Sequence, residues 1–134
     1  MTDSILRTTK KALGLDEDYS PFDAEITMHI NAALATLNQI GIGPEYGFFI
    51  TDDSEEWVTF LGDDPRYNSA KLFVYLQTRV LFDPPTTSFV LTAMKEQIEQ
   101  QLFRLNVLRE HTEWTSPNAT AVLPQGPILD GGTP

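Results

Sequence analysis

Residues 64–83, DPRYNSAKLFVYLQTRVLFD, are the stretch around which the rest of the chain is organised, and two prolines follow it. Asp64 suits the position before a helix, and Pro65 suits the first helical position, where its missing amide hydrogen would have no partner. When residues are placed about 100° apart, the polar side chains gather together and apolar ones fill most of the remaining circumference. Such a helix must be covered on several sides. We therefore predict a central helix that ends at Asp83, because Pro84 cannot continue it.

Helix-type spacing of apolar residues recurs along most of the chain, which predicts an all-α fold. We predict a small bundle of about four helices, at 4–13, 21–39, 64–83 and 89–113, with one shorter helix at 55–61. Ser20 is the expected cap of the second helix, and Phe22 the first residue of its inner stripe. The aromatic, β-prone residues 47–51 predict an extended segment or one strand of a small hairpin.

Two of the predicted helices carry a second apolar line besides the one that faces the core. Along the back of the second helix, small residues and one methionine permit close approach of another helix: Met28, Ala32 and Ala35. On the last helix, whose inner stripe starts at Val90, the outer line contains Phe89, Phe103, Val107 and Trp114, and the last three are the candidates for ring contacts. These surplus faces predict contacts between subunits. The alternative is that Phe48 and Phe49 fold over the outer line within one chain.

The composition changes at Thr115, which divides the chain into a helical domain, 1–114, and an arm, 115–134. The arm holds four prolines, three glycines and one charged residue. Segments of this kind are extended unless a surface holds them. Its aliphatic and proline residues are the candidates for docking into a partner: Val122, Leu123, Pro124, Pro127, Ile128 and Leu129.

The net charge of −10 is unevenly distributed. The first helix has a small basic patch of Arg7, Lys10 and Lys11, whereas no lysine or arginine occurs from Ala12 to Pro65. That span holds twelve carboxylates. One part of the domain should therefore project a negative field that repels nucleic acid and attracts basic surfaces. The alternative is a solvated acidic face that only keeps the protein in solution.

The sequence contains no recognisable catalytic or metal-binding motif. It has no cysteine, and its two histidines are far apart. The acidic loops that start at Asp16 and Asp52 resemble calcium loops only in part, because Pro21 and Trp57 stand where glycine is required. Neither a nucleophile elbow nor a phosphate-binding glycine loop is present. We expect no enzyme activity, no cofactor and no metal, and no apolar run is long enough for a membrane span.

Several motifs resemble the small helical head–tail connector proteins (adaptor or head-completion proteins) of tailed bacteriophages. They are LGLDED at 13–18, FD at 22–23, HIN at 29–31, LNQIGIGP at 37–44, FLGDDP at 60–65 after Trp57, and LFDPPT at 81–86. Their order and spacing carry the likeness, which covers roughly residues 5–112 and leaves the arm outside.

The resemblance implies a non-enzymatic virion protein located in the neck, and in the host cytoplasm during assembly. Such proteins form a homo-oligomeric ring beneath the portal protein, usually with its twelvefold symmetry and hence a dodecamer. They extend the DNA channel and provide the platform for the next connector, the stopper or the tail. DNA passes without specific binding, and no membrane is involved.

On this interpretation, the arm anchors the ring in the portal and the two surplus faces form the ring contacts. The acidic residues expected at the lumen are Asp52, Asp53, Glu55, Glu56, Asp63 and Asp64. Two other classes stay open. A prophage-encoded acidic regulator or inhibitor could bind a basic host target, and a metal-dependent enzyme is the more remote option.

Overall fold

A computed structural model describes residues 3–111, and its regular elements there are all helical. The α-helices are α1 (Ile5–Ala12), α2 (Asp23–Gln39), α3 (Trp57–Leu61), α4 (Ser69–Phe82) and α5 (Ser88–Glu110). A short 3₁₀ helix, Pro65–Asn68, precedes α4. The described residues form no strand, so the predicted all-α bundle of four helices and one short helix is confirmed.

The α4 helix is the central element of the bundle, as predicted. It packs against α2 on one side and α5 on another, and it also contacts α1. Its first turn is the 3₁₀ helix, where the Asp64 carboxylate accepts a hydrogen bond of 3.0 Å from the amide of Arg66. The side chains of Phe73 and Val74 are fully buried, whereas Leu72 and Leu81 remain exposed. One chain therefore covers its central helix only in part.

The start of α2 differs from the prediction. Ser20 is not the helix cap, because its carbonyl instead accepts the amide of Asp23 in a backbone turn, at 3.0 Å. Phe22 occupies the capping position without a side-chain hydrogen bond, and the helix begins at Asp23. The Asp23 carboxylate lies 2.9 Å from the ammonium of Lys10, so a tertiary ion pair fixes this end of the helix.

Residues 47–50 form no strand, so of the two predicted alternatives the strand of a hairpin is not formed. The side-chain amide of Asn31 replaces a neighbouring strand for Ile50. Its nitrogen donates to the Ile50 carbonyl at 3.0 Å, and its oxygen accepts from the Ile50 amide at 2.7 Å. Both backbone groups of the buried Ile50 are therefore satisfied without a β-ladder.

The α5 helix is the longest element and the least covered. Among its residues only Gln101 and Leu105 are buried. Val90, predicted as part of the inner stripe, is 44% exposed. Near its other end, the Arg109 guanidinium donates to the carbonyl of Gly41 at 2.9 Å, which joins the end of α5 to the end of α2. The helix thus lies on the bundle with much of its circumference open to solvent.

Candidate assembly surfaces

The back of α2 is open in the structure. Met28 is 63% exposed, and Ala32 and Ala35 are exposed beside it. They lie opposite the buried side of the helix, where Ile26 and Ile30 enter the core. No described element covers this line of small residues.

The outer line of α5 is also open where it is described. Phe103 is 67% exposed and Val107 is half-buried, while Trp114 lies outside the described residues. Phe48 packs instead on the ring of Phe60, with the ring centroids 5.1 Å apart, and Phe49 points into solvent. The alternative that this segment covers the outer line is therefore wrong for Phe103.

The proposed portal-binding residues of the arm lie outside the described residues, so the structure places none of them. They are Val122, Leu123, Pro124, Pro127, Ile128 and Leu129.

The acidic residues proposed for a lumen divide into two groups by their partners. Glu55 accepts the amides of Thr51 and Asp52 at 3.0 and 3.2 Å, and Asp53 lies 3.1 Å from the Arg7 guanidinium. Hydrogen bonds from the Ser54 hydroxyl and amide lower the pKa of Asp52.

Asp64 is bound in a similar way, because the Arg66 side chain donates to it at 2.7 Å and lowers the pKa of its carboxyl. Glu56 and Asp63 are exposed and form no ion pair with any other described residue. Of the six acidic candidates, these two therefore contribute the least compensated negative charge.

The basic patch predicted on α1 is not a free surface. Arg7 lies between the carboxylates of Asp18 and Asp53, at 3.0 and 3.1 Å, and Glu17 is 3.4 Å away. Hydrogen bonds to Asp18 and then Asp53 raise the pKa of the Arg7 guanidinium. Lys10, the first of the two lysines in this patch, is only 2% exposed. Its ammonium pairs with Asp23 and donates to the Glu17 carbonyl at 2.9 Å. These bonds fasten the acidic α1–α2 loop to the domain.

The carboxylates do not assemble into a catalytic or metal-binding cluster within residues 3–111. No three histidine or acidic side chains there are arranged to hold a metal ion. The two loops that partly resemble calcium loops use their first aspartates locally. Asp16 accepts the amide of Asp18 at 2.8 Å, and Asp52 accepts that of Ser54 at 2.8 Å. No described helix is both long enough and apolar enough to span a membrane.

Sequence reasoning missed a third open surface, at the end of the bundle where α2 starts, α4 ends and α5 starts. Phe22 stacks edge-on against Phe82 with ring centroids 5.4 Å apart, and Tyr19 packs on Phe22 at 5.9 Å. Phe22, predicted to face the core, is 41% exposed. We call this surface the aromatic end; it comprises Tyr19, Phe22, Leu81, Phe82, Phe89 and Val90. Its signal in the sequence is the uncharged run 84–94, which follows Phe82 and Asp83.

Open apolar faces on a small helical bundle are features of an assembly protein. A comparison with protein families agrees: the model of the family described as phage connector protein matches residues 5–112. The chain belongs to this family. Connector proteins are structural, and the family places this chain in the context of portal and tail assembly, at the virion neck. No curated protein and no solved structure matches the chain.

Proposed function

We propose that this connector forms a homo-oligomeric ring, a dodecamer, between the portal and the tail of the phage. The ring extends the DNA channel and provides the docking platform for the next connector, the stopper or the tail. The observation that carries the proposal is the exposure of large apolar side chains on two long helices, Met28 on α2 and Phe103 on α5. Single exposed apolar residues are common on monomers, but aligned ones on a helix face are typical of contacts.

The ring contacts are assigned to the back of α2, with Met28, Ala32 and Ala35, and to the outer line of α5. Two different surfaces that bind each other form heterologous contacts, and these close into a ring when the rotation between subunits permits it. Small side chains on one face allow the bulky Phe103 of the next copy, together with Val107 and Trp114, to approach closely.

Mixing the purified chain with portal rings and imaging the product by electron microscopy tests this assignment. The variant Met28→Ser/Phe103→Ser changes only exposed side chains, so its midpoint of urea unfolding should equal that of the wild type. When it is mixed with portal rings, however, it should form no connector layer on them. Val58→Ser, which alters a side chain 44% exposed on α3, is the matched control and should assemble normally. A complete layer from the double variant would refute these ring contacts.

The arm, 115–134, is proposed as the portal anchor, through Val122, Leu123, Pro124, Pro127, Ile128 and Leu129. Its uncharged, proline-rich sequence favours an extended segment that inserts into a groove of a partner. Deletion of 115–134 should leave the helical domain, 1–114, folded and should weaken its attachment to the portal. Unchanged co-sedimentation of the deletion variant with portal rings would contradict the anchor role.

The acidic surface is proposed to face the channel, where like charge keeps passing DNA from binding. Asp52, Glu55 and Asp64 are held by local hydrogen bonds and Asp53 by Arg7 on α1, whereas Glu56 and Asp63 present their charge to solvent. The partners of the ring are accordingly the portal, the next neck component and DNA that passes without specific contacts.

A further inference from the structure

Apart from Phe89, which starts the outer line of α5, the aromatic end is an apolar surface to which the proposed ring contacts give no role. Its exposed fractions are 46% for Tyr19, 41% for Phe22, 48% for Leu81, 83% for Phe89 and 44% for Val90. Phe89 follows the Pro84–Pro85 corner and belongs to an eleven-residue run, 84–94, without a charged side chain. A protein that exposed all of these groups before assembly would be prone to nonspecific association.

The arm, with a single charged residue, is the other apolar part of the chain, and it follows the opposite end of α5. α5 begins at the aromatic end and runs away from it for 23 residues, about 34 Å at 1.5 Å per residue. The described chain stops at His111, just past the end of that helix. To cover the aromatic end of its own chain, the arm must therefore run back along α5.

The lengths of the two segments match. A fully extended chain reaches at most about 3.3 Å per residue. The twelve residues from 112 to 123 can therefore reach about 40 Å, slightly more than the length of α5. Leu123, Pro124, Ile128 and Leu129 would arrive at the aromatic end with little slack.

The chemistry of the two surfaces matches as well. Extended proline-rich segments bind shelves of exposed aromatic rings, because their conformation is already ordered and proline packs flat on a ring. Tyr19, Phe22 and Phe82 form such a shelf. Phe89 lies at the same end of the bundle, in the first turn of α5. The arm has one charged residue, Asp130, so contact with the uncharged run removes few charges from water.

We propose that, before the connector meets a portal, residues 122–129 lie on the aromatic end of the same chain. This contact covers both apolar segments in the free protein, and the portal competes for the arm during assembly. It deepens the proposed function and rests on it, since the arm is the portal anchor there. A tethered segment has an effective concentration in the millimolar range, so even weak binding keeps it in place.

Disulfide trapping in the full-length chain tests the contact, because the chain contains no cysteine of its own. Gln125→Cys places one thiol in the arm, and Thr86→Cys places the other at the aromatic end, both at polar positions. The matched control pairs Gln125→Cys with Gln39→Cys, at the opposite end of the bundle. In dilute protein under mild oxidation, we expect the Thr86 pair to form an intramolecular disulfide about tenfold faster than the Gln39 pair.

A second substitution identifies the surface. Phe89→Ser should slow the Thr86–Gln125 reaction to the rate of the control pair, whereas Val58→Ser should leave it unchanged. Because both side chains are largely exposed, neither variant should lose its fold, and circular dichroism checks this. Equal rates for the two cysteine pairs, products that are only intermolecular dimers, or insensitivity to Phe89→Ser would each overturn the proposal.

Portal binding is measured separately, by co-sedimentation of the wild-type chain. Portal binding without the disulfide would refute the contact and leave the proposed function intact. The disulfide without portal binding would support the contact and refute the proposed place of the ring. When both occur, added portal rings should slow the reaction, and an unchanged rate would refute the competition.

Discussion

At the scale of single residues, ion pairs around α1 fix the acidic loop between α1 and α2. The burial of Lys10 in one of these pairs is the least expected feature, because a lysine near the end of a short amphipathic helix is usually solvated. Its ammonium is buried between the Asp23 carboxylate and the Glu17 carbonyl, at 2.9 Å from each. Its stem also packs within the domain, so the residue combines packing with charge pairing.

Replacing Lys10 should destabilise the fold. Lys10→Met keeps most of the apolar stem but leaves Asp23 without its cation, which should lower the free energy of unfolding by about 2 kcal/mol. Lys11→Met, at a side chain 75% exposed, is the control and should change it by less than about 0.5 kcal/mol. Urea denaturation measures both. Lys10→Met/Asp23→Asn should recover part of the loss, and a double variant weaker than Lys10→Met would contradict this pairing.

A glycine near the start of the α2–α3 loop provides a second test at this scale. Gly43 has a φ of +95°, and a Cβ placed there would lie 2.5 Å from the ring of Phe60. Gly47 has a φ of +100° with nothing within 4 Å, so it shares the backbone strain without the clash. We expect Gly47→Ala to cost about 1 kcal/mol and Gly43→Ala about 3 kcal/mol in thermal or urea unfolding. Equal costs would mean that Phe60 moves aside freely.

At the scale of elements, polar side chains decide where helices start and how loops are held. The spacing of apolar residues located α4 and α5 closely, since a helical period persists whatever surrounds it. The composition of residues 47–51 could not distinguish an extended segment from a hairpin strand, because the partner that satisfies Ile50 is Asn31, nineteen positions away on α2. When a distant side chain forms the hydrogen bonds that a neighbouring strand would form, the local sequence does not indicate it.

Asp64, which caps the 3₁₀ helix before α4, should make the stability of the fold depend on pH. Its bonds to Arg66 lower the pKa of the carboxyl in the folded state. The stabilising contribution of the ionised Asp64 carboxylate is therefore present above the ordinary aspartate pKa of about 4. It is lost as the pH falls through the lower pKa that this carboxyl has in the folded state. Asp64→Asn should flatten the decrease in urea midpoint below about pH 4. Asp63→Asn removes a carboxylate that has no such bond and is the control, and an identical decrease at acid pH in both variants would contradict the prediction.

At the scale of the whole molecule, the distribution of charge and apolar surface governs assembly. Arg7 and Lys10 neutralise part of the acidic segment from within, so the remaining negative field comes from residues such as Glu56 and Asp63. In a ring, each of these charges is repeated in every copy. The field in the channel would then be the sum over all copies.

Charge reversal tests the orientation of this surface in the assembled ring. Portal–connector assemblies that carry Glu56→Lys/Asp63→Lys should retain duplex DNA fragments at low salt and release them as salt rises. Assemblies of the wild type should not retain DNA. Glu96→Lys/Glu99→Lys, at exposed positions on α5, reverses the same charge outside the proposed lumen. Equal retention by both double variants would show that Glu56 and Asp63 do not line the channel.

The sequence by itself determined the all-α fold, the central position of α4 and the family motifs, because a helical period and proline or glycine stops are local properties. Only the tertiary structure decided that Lys10 is buried, that Asn31 holds Ile50, and that Phe22 joins Phe82 at an exposed end of the bundle. These features depend on residues far apart in the chain meeting in space. Spacing within one helix cannot distinguish an apolar line that its own chain covers from one that is left open for a partner.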